Sequence, residues 1–432
     1  MRRLLIISPY FPPSNAADMH RVRMSLPYFK EYGWEATVVA VAPQYSEQSK
    51  DDLLEKSLPI DVPVHYVKAF DKKITAKLGL GSIAIRSLYY YYKKVNELLS
   101  RENFDLIYFS TTQFPVCVLG AVWKKKFAVP YVIDFQDPWF STYYDDKPKS
   151  ERPRKHWFSH RLNKYIEPIA VKNADGLISV SAKYIADLKA RYPEVINIPT
   201  ATVIFGASEI DRQIAFENQH RFPQLFDKRF RNLVYVGRGG HDMHKAINLV
   251  FEAVKQLFVT YPYYAKILKL HFIGTSYAPK GAGTLTIAPL AKQYGLSETV
   301  VEITDRVGYY EALAALDNAD ALFVPGSDDP AYVASKLLPF LFARKPLLAI
   351  FNSNSPAIEL LTKFRIKDTY MFDKDKNIEE NVKNFLVSMI ENANTVPDYP
   401  EDVTEAYSAK ALTKKQTILF DQVINHKANA TS

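Results

Sequence analysis

Through the first half of the chain, short apolar and β-branched runs alternate with longer stretches patterned for helix. The runs at 4–7, 36–41, 64–67, 106–109, 131–134 and 176–180 are bounded by proline, glycine or aspartate. Runs of that length with helices between them predict buried parallel strands, and so a doubly wound α/β sheet. The first helix is predicted to begin in the loop after Pro13 and to run through Met24, Leu26, Tyr28 and Phe29. Gly33, suited to a left-handed cap, is expected to stop it.

The alternation restarts with runs at 202–205, 233–236, 270–273, 300–303, 321–324 and 347–350. One core rarely extends beyond roughly 250 to 300 residues, so this second βαβ series predicts a second sheet. Pro193 and Pro199 interrupt the pattern, which places a first domain at 1–198 and a second at 199–400. A proline-bearing stretch at 396–400 precedes a last helix expected from about 404 to 424, in a C-terminal segment 401–432. That helix is expected to cross back to the first domain.

The 432 residues include 55 Lys and Arg against 47 Asp and Glu, a net charge of +8, with 47% apolar and 24% charged residues. These ordinary globular proportions exclude wholesale disorder and a fibrous fold. The cationic excess favours polyanionic partners such as nucleotides, lipid headgroups or nucleic acid. No zinc-finger or RRM pattern accompanies it, so nucleic acid is not an expected partner. Cys117 stands alone, which rules out an intrachain disulfide and points to a reducing compartment. Ser8, Pro9, Pro12 and Pro13 interrupt the first apolar run too soon for an export signal. No stretch approaches the roughly 18 to 20 apolar residues of a membrane span. The expected location is the cytoplasm, with any membrane contact peripheral and at the inner face.

Four segments carry candidate chemistry. In residues 233–245 a strand ends at Gly237, Arg238 follows, Gly239 and Gly240 open a turn, and Lys245 stands at a helix entry. Such a turn collects free amides and the positive end of a helix dipole and adds two cations, which suits a diphosphate. A solvated basic loop is the plainer reading. Residues 324–346 pass an acidic loop with Asp328 and Asp329, then open an apolar helix at Ser335 and Lys336. A capping hydroxyl beside a cation again suits an anion, or simply starts a helix.

The loop at 9–23 follows the first strand, where open α/β sheets bind ligands, and its small residues Asn15, Ala16 and Ala17 leave room for one. It can equally be a bare connection. DFQDPW, residues 134–139, closes another strand with two carboxylates. Asp134 and Asp137 can act as a base, fix a hydroxyl, or cap the next helix. His156 and His160 lie among Arg152, Arg154, Lys155 and Arg161, surroundings that disfavour a metal, and no metal site is expected.

Taken in order, PYFPP in the first loop, DFQDPW, VYVGR followed by Lys245, LHFIG, DRVGYYEALAALDNADALFVPGS and SKLLPFLFARKPLLAI resemble glycosyltransferase family 4. These are the retaining GT-B enzymes that take sugar from a nucleotide diphosphate, and the resemblance covers nearly the whole chain. It implies two Rossmann-like domains facing a central cleft, the acceptor held mostly by the first and the donor by the second. Arg238 and Lys245 would neutralise the departing diphosphate, with Gly237, Asp329, Ser335 and Lys336 around the donor and Arg306 and Val307 near its base. Asn15, Ala16, Ala17, Gln136 and Asp137 would face the acceptor, Asp137 also as a catalytic carboxylate. Catalysis of this kind is chiefly electrostatic. It needs no cofactor, the nucleotide-diphosphate sugar being a co-substrate.

The chain departs from the family pattern in three places. A pair of glutamates eight apart is replaced by Ala331 and Pro339, so the usual ribose carboxylate is missing and Asp328 or Asp329 is left to approach the sugar. Gln136 stands where a histidine often precedes the aspartate, and Ala16 and Ala17 stand where glycines are common. The expected activity is hexosyl transfer onto a glycan or lipid-linked acceptor in surface polysaccharide biosynthesis. The alternative is a catalytically inactive GT-B protein that binds nucleotide sugar or a partner. Between 68 and 101, Lys72, Lys73, Lys77, Arg86, Lys93 and Lys94 interleave with Leu78, Leu80, Ile83, Ile85 and Tyr89 to Tyr92. Such a face suits an anionic membrane surface, or is a solvated helix over a tyrosine-rich core.

Overall fold

The computed structural model describes residues 1–140, 156–329, 337–392 and 396–431. It divides into two compact units, Met1–Ser208 with Ala409–Ser432, and Glu209–Ser408. The first unit runs β1 (Arg2–Ile7), α1 (Met19–Phe29), β2 (Trp34–Val41), β3 (Val64–Val67), α2 (Lys72–Thr75), α3 (Ile83–Arg101), β4 (Leu106–Ser110) and α4 (Val118–Phe127). It continues with β5 (Tyr131–Phe135), α5 (His156–Val171), β6 (Gly176–Ser179), α6 (Ala182–Arg191) and β7 (Thr200–Thr202).

The seven strands form one sheet in the order β3-β2-β1-β4-β5-β6-β7, every pair parallel. The chain winds outward from β1 to β3 and returns past it to β4, so the switch point lies between β1 and β4. Every residue of β4 and β5 is buried, which is why those runs are continuously apolar rather than alternating. The first helix begins at Met19 and a short 3-10 turn prolongs it to Gly33, whose φ of 82° and N–H to the Lys30 carbonyl close it as expected.

The run expected at 202–205 to open the second sheet belongs to the first. Residues 200–202 pair with β6, Leu177 opposite Thr200, and Val203 is fully buried in the first core. An apolar run announces burial without saying in which core, so the change between units falls after Ser208 rather than after 198.

The second unit runs α7 (Glu209–Glu217), β8 (Arg231–Val236), α8 (His244–Thr260), β9 (Leu268–Ile273), α9 (Ala288–Gln293), β10 (Val300–Ile303), α10 (Tyr309–Asn318) and β11 (Ala321–Pro325). It ends with α11 (Leu337–Phe342), β12 (Leu347–Phe351), α12 (Ala357–Lys363), β13 (Thr369–Met371), α13 (Ile378–Glu391) and α14 (Glu401–Ala406). Its parallel sheet has the order β10-β9-β8-β11-β12-β13, with the switch point between β8 and β11. β13, three half-buried residues, escaped the sequence reading because it carries no apolar run.

The chain then re-enters the first unit as α15 (Ala409–Thr431). The helix expected from about 404 is in fact two, broken at residues 407–408. Phe420 of α15 sits 5.5 Å from the Trp34 ring and 5.0 Å from that of Tyr108, and Leu412, Leu419 and Val423 are buried beside it. Among the described residues no helix is long and apolar enough to cross a membrane.

Candidate functional site

In the second unit the candidate residues gather at the carboxyl ends of β8, β10 and β11. β8 delivers Gly237 and Arg238 into a turn that a 3-10 segment, His241–Met243, joins to α8. Glycine is required here by crowding. A Cβ on Gly237 would lie 2.4 Å from the Tyr235 hydroxyl, and one on Gly239 would lie 2.8 Å from the Ile287 side chain and 2.9 Å from that of Thr275. The Gly237 amide donates to the Ile273 carbonyl (2.9 Å) and the Gly239 amide to the Thr275 carbonyl (2.8 Å). Those two amides are therefore taken within the fold.

The turn is braced from outside. Thr286 Oγ1 donates to the Gly239 carbonyl at 2.6 Å, and the Glu302 carboxylate accepts from Thr275 Oγ1 (2.8 Å) and from the amides of Ile287 (2.9 Å) and Ala288 (2.7 Å). β8, β9 and β10 thus share one hydrogen-bonded rim.

Arg238 does not stand open. Its two terminal nitrogens donate to the two carboxylate oxygens of Asp242, at 2.8 and 2.6 Å. Asp242 also accepts from Ser327 Oγ at 2.6 Å, and its carbonyl receives the Asp328 amide at 2.8 Å. The carboxylate therefore bridges the β8 and β11 loops across the switch point of the sheet. The Arg238 hydrogen bonds hold its carboxyl down at about 2, against the opposing effect of burial.

Asp242 is not among the candidates drawn from the sequence, although its place four residues after Arg238 is the spacing of an ion pair. Nor are His241 and His244, whose rings meet 4.8 Å apart just before Lys245. Burial and the neighbouring His241 push the His244 pKa down.

Lys245 is exposed in the first turn of α8, its Nζ 4.6 Å from the centre of the Phe372 ring. Arg306 lies over Tyr277 at 5.2 Å, and Val307 follows it in the loop that Gly308 closes onto α10. Asp328 and Asp329 are exposed, the Asp329 amide bonded to Ser327 Oγ at 3.1 Å. Ser335, Lys336 and Ala331 lie outside the described residues, and Pro339 falls inside α11.

The first unit holds a second cluster at its own switch point. Asp18 is buried and accepts from Thr111 Oγ1 (2.9 Å), the Thr112 amide (3.0 Å) and Thr112 Oγ1 (3.2 Å). Burial raises its pKa against the pull of those donors. Asp137 is exposed; desolvation and then the Asp18 charge push its carboxyl up too.

Gln136 is buried, its amide nitrogen shared among the Asp18 carbonyl (3.3 Å), Ser110 Oγ (3.0 Å) and Asp134 (3.0 Å). Asp134 is an internal residue, ion-paired with Arg21 at 3.0 Å. Of the three small residues after β1, Ala16 is buried and only Asn15 and Ala17 reach the surface. The cationic run at 68–101 is likewise split. Arg86 is buried, donating to the carbonyls of Phe70 and Tyr45 and to Glu47, and Ile83 and Tyr91 belong to the core.

The model of Glycosyltransferase Family 4 matches residues 26–202. The resemblance to family 4 stands over that stretch. It runs from within α1 to the end of β7 and stops ahead of the second unit. No curated protein matches the chain.

Among solved structures, the N-terminal domain of trehalose-6-phosphate phosphatase from Candida albicans is similar at 14% identity and a TM-score of 0.58, covering 98% of this chain and 97% of that one. A UDP-forming α,α-trehalose-phosphate synthase from Burkholderia xenovorans is similar at 10% identity and a TM-score of 0.52, over all of both chains at 100%. The lipopolysaccharide outer core galactosyltransferase WaaB, in its apo form, is similar at 13% identity and a TM-score of 0.50, covering 98% and 99%. At such identities the likeness is one of fold. The chain has the α/β GT-B architecture, two Rossmann-like units each built on a parallel sheet.

Proposed function

We propose that the protein is a glycosyltransferase that moves a hexosyl group from a nucleotide-diphosphate sugar to a glycan or lipid-linked acceptor in surface polysaccharide biosynthesis. The observation that carries this reading is the family 4 match over residues 26–202. What supports it in the second unit is the glycine turn after β8, which sets Arg238 and Lys245 on one strand-to-helix connection.

In this reading the bond between the anomeric carbon and the β-phosphate oxygen breaks as the acceptor oxygen bonds to that carbon on the same face, so configuration is retained. Negative charge collects on the leaving diphosphate, and Arg238 and Lys245 take it up. The acceptor hydroxyl loses its proton to Asp137, whose raised pKa makes it a better base than an ordinary carboxylate. Gly237 lets the donor approach the backbone, Arg306 and Val307 lie toward the base, and Asp329 toward the ribose. Ser335 and Lys336 hold the same phosphates, and Asn15, Ala17 and Asp137 meet the acceptor. Ala16 and Gln136 act from beneath, by shaping the loops. Charge stabilisation comes from side chains, so no metal or other cofactor is required, and the work is done in the cytoplasm at the inner face of the membrane.

One observation favours the other reading, a nucleotide-sugar binder without turnover: the Arg238 guanidinium already has a carboxylate partner in Asp242. Incubation with UDP-, GDP- and ADP-sugars, with and without a chelator, separates the two. Release of nucleoside diphosphate that persists in chelator, with an acceptor product of unchanged anomeric configuration, supports the transferase. Saturable donor binding with no release across the panel leaves the binder, and no binding at all sinks both.

A further inference from the structure

The helices α3, α4 and α5 pack side by side in the first unit, α3 against α4 and α4 against α5. Each shows solvent the same kind of face, spaced as one side of a helix. On α3 the exposed residues include Tyr89, Tyr92 and Lys93, and on α4 Val122, Lys125 and Lys126. On α5, Trp157, Arg161, Lys164, Tyr165 and Ile169 are exposed, Trp157 at 71% and Tyr165 at 63%. The Lys126 Nζ lies 5.9 Å from the Tyr92 ring, which joins α3 to α4 at the surface. Phe70, 6.4 Å from Tyr89, carries the aromatic edge on to α2, where Lys73 and Ile74 are exposed.

The charge on this layer has one sign. These three helices contain two acidic residues, and neither leaves an uncompensated charge outside. Glu97 is ion-paired with Lys94 and Arg101, and Glu167 is buried, held by Arg191 and the Tyr192 hydroxyl. A polynucleotide would use the cations but has no need of Ile74, Val122 and Ile169. A bilayer uses both: aliphatic and aromatic side chains enter the headgroup boundary while lysine and arginine meet anionic lipid.

We infer that the outer face of α3, α4 and α5 is a docking surface for an anionic lipid bilayer. The inference deepens the transferase reading by naming the surface on which a lipid-linked acceptor is met, and it rests on that reading for its purpose. It also narrows the 68–101 run drawn from the sequence to outward residues such as Lys73, Ile74, Tyr89, Tyr92 and Lys93, since Arg86, Ile83 and Tyr91 face inward, and it adds α4 and α5.

The test is flotation of the full chain with vesicles of phosphatidylcholine alone and of an equal mixture of phosphatidylcholine and phosphatidylglycerol. Binding is expected to the mixed vesicles only and to weaken as salt rises. Reversing three cations together, Lys125→Glu, Lys126→Glu and Arg161→Glu, is expected to cut binding by on the order of a hundredfold. The pair Trp157→Ser and Tyr165→Ser is expected to cut it about tenfold and to abolish quenching of tryptophan fluorescence by brominated lipid. Trp34, Trp123 and Trp139 are buried, so that signal reports Trp157.

Equal binding to both lipids, or a charge-reversed triple variant that floats like wild type, overturns the inference. So does a concentration-dependent dimer or a polynucleotide complex that the same variants lose while wild type ignores vesicles. All substitutions are on the surface, and a nucleoside-diphosphate thermal shift run on the same proteins reports the second unit separately. Vesicle binding without nucleotide binding removes the transferase reading and leaves the surface standing; the reverse result removes the surface alone.

Discussion

Arg238 and Asp242 form a two-pronged ion pair around the turn after β8, and the same carboxylate takes the Ser327 hydroxyl from the loop after β11. The cation proposed to meet the diphosphate is thus fixed in direction by an acid that also partly cancels it. Asp242→Asn keeps the shape and removes the counter-charge. Nucleoside-diphosphate affinity is expected to rise a few-fold while transfer slows about tenfold, because the guanidinium is no longer aimed. Parallel calorimetry and initial-rate measurements read the two effects, and a fall in both affinity and rate would argue against this role.

The same pair makes a pH prediction. The folded pKa of Asp242 is about 2 against an ordinary 3.8, so the unfolded chain takes up a proton first as acid is added. Its stabilisation is complete above about pH 4 and is lost as pH falls through 2. With solvent screening allowed for, the loss is about 1 kcal/mol. Urea melts of wild type and Asp242→Asn should therefore converge toward pH 2.

His271 acts in a higher window. It is buried on β9 with a ring nitrogen 2.9 Å from Asn232 Oδ1, and burial, helped by Lys269, pushes its pKa down to about 4 from 6.5. The unfolded chain binds the proton below about 6.5 and the folded chain only near 4, so stability falls across that interval. His271→Gln is expected to flatten the decline between those pH values in denaturant titrations, whatever it costs at neutral pH.

Arg21 and Asp134 are both buried. Arg21 further donates to the carbonyls of Val203 (2.6 Å) and Ile204 (2.7 Å), while Asp134 accepts from Ser110 Oγ at 3.0 Å. Asp134→Ala leaves a buried guanidinium without its counter-charge and should cost about 3 to 5 kcal/mol. A chemical melt that moves by less than about 1 kcal/mol would show the pair to be dispensable.

Phe420 tests the return of the chain. Its ring fills the space between Trp34, Tyr108 and Phe29. Phe420→Ala should destabilise the first unit by about 3 to 5 kcal/mol, and loss of near-ultraviolet circular dichroism on heating would record it.

The strands were legible because both faces of each sheet are covered, which turns a strand into an unbroken apolar run such as β4 or β12. β13 is missed for the converse reason, being three residues long and only partly buried, while β7 is misplaced because the apolar run that follows it does not say which core buries it. Gly237 and Gly239 were found as glycines, but the partners of their amides come from β9 and the loop after it, which local pattern does not specify. DFQDPW offers two acids, of which the sequence reading favours Asp137; the fold shows what separates them, Asp134 carrying the core ion pair and Asp137 standing at the surface. Asp242 was written in the sequence at ion-pair spacing, yet its second partner lies 85 positions away on β11's loop.

Cations of the second unit are proposed to hold a nucleotide diphosphate. Calorimetric titration of UDP, GDP and ADP into wild type, Arg238→Ala and Lys245→Ala tests it most directly. One nucleotide is expected to bind wild type, with each substitution weakening it by at least tenfold, about 1.4 kcal/mol, while the melting transition stays in place. Equal affinity in all three proteins, or no binding of any nucleotide to wild type, would contradict the account.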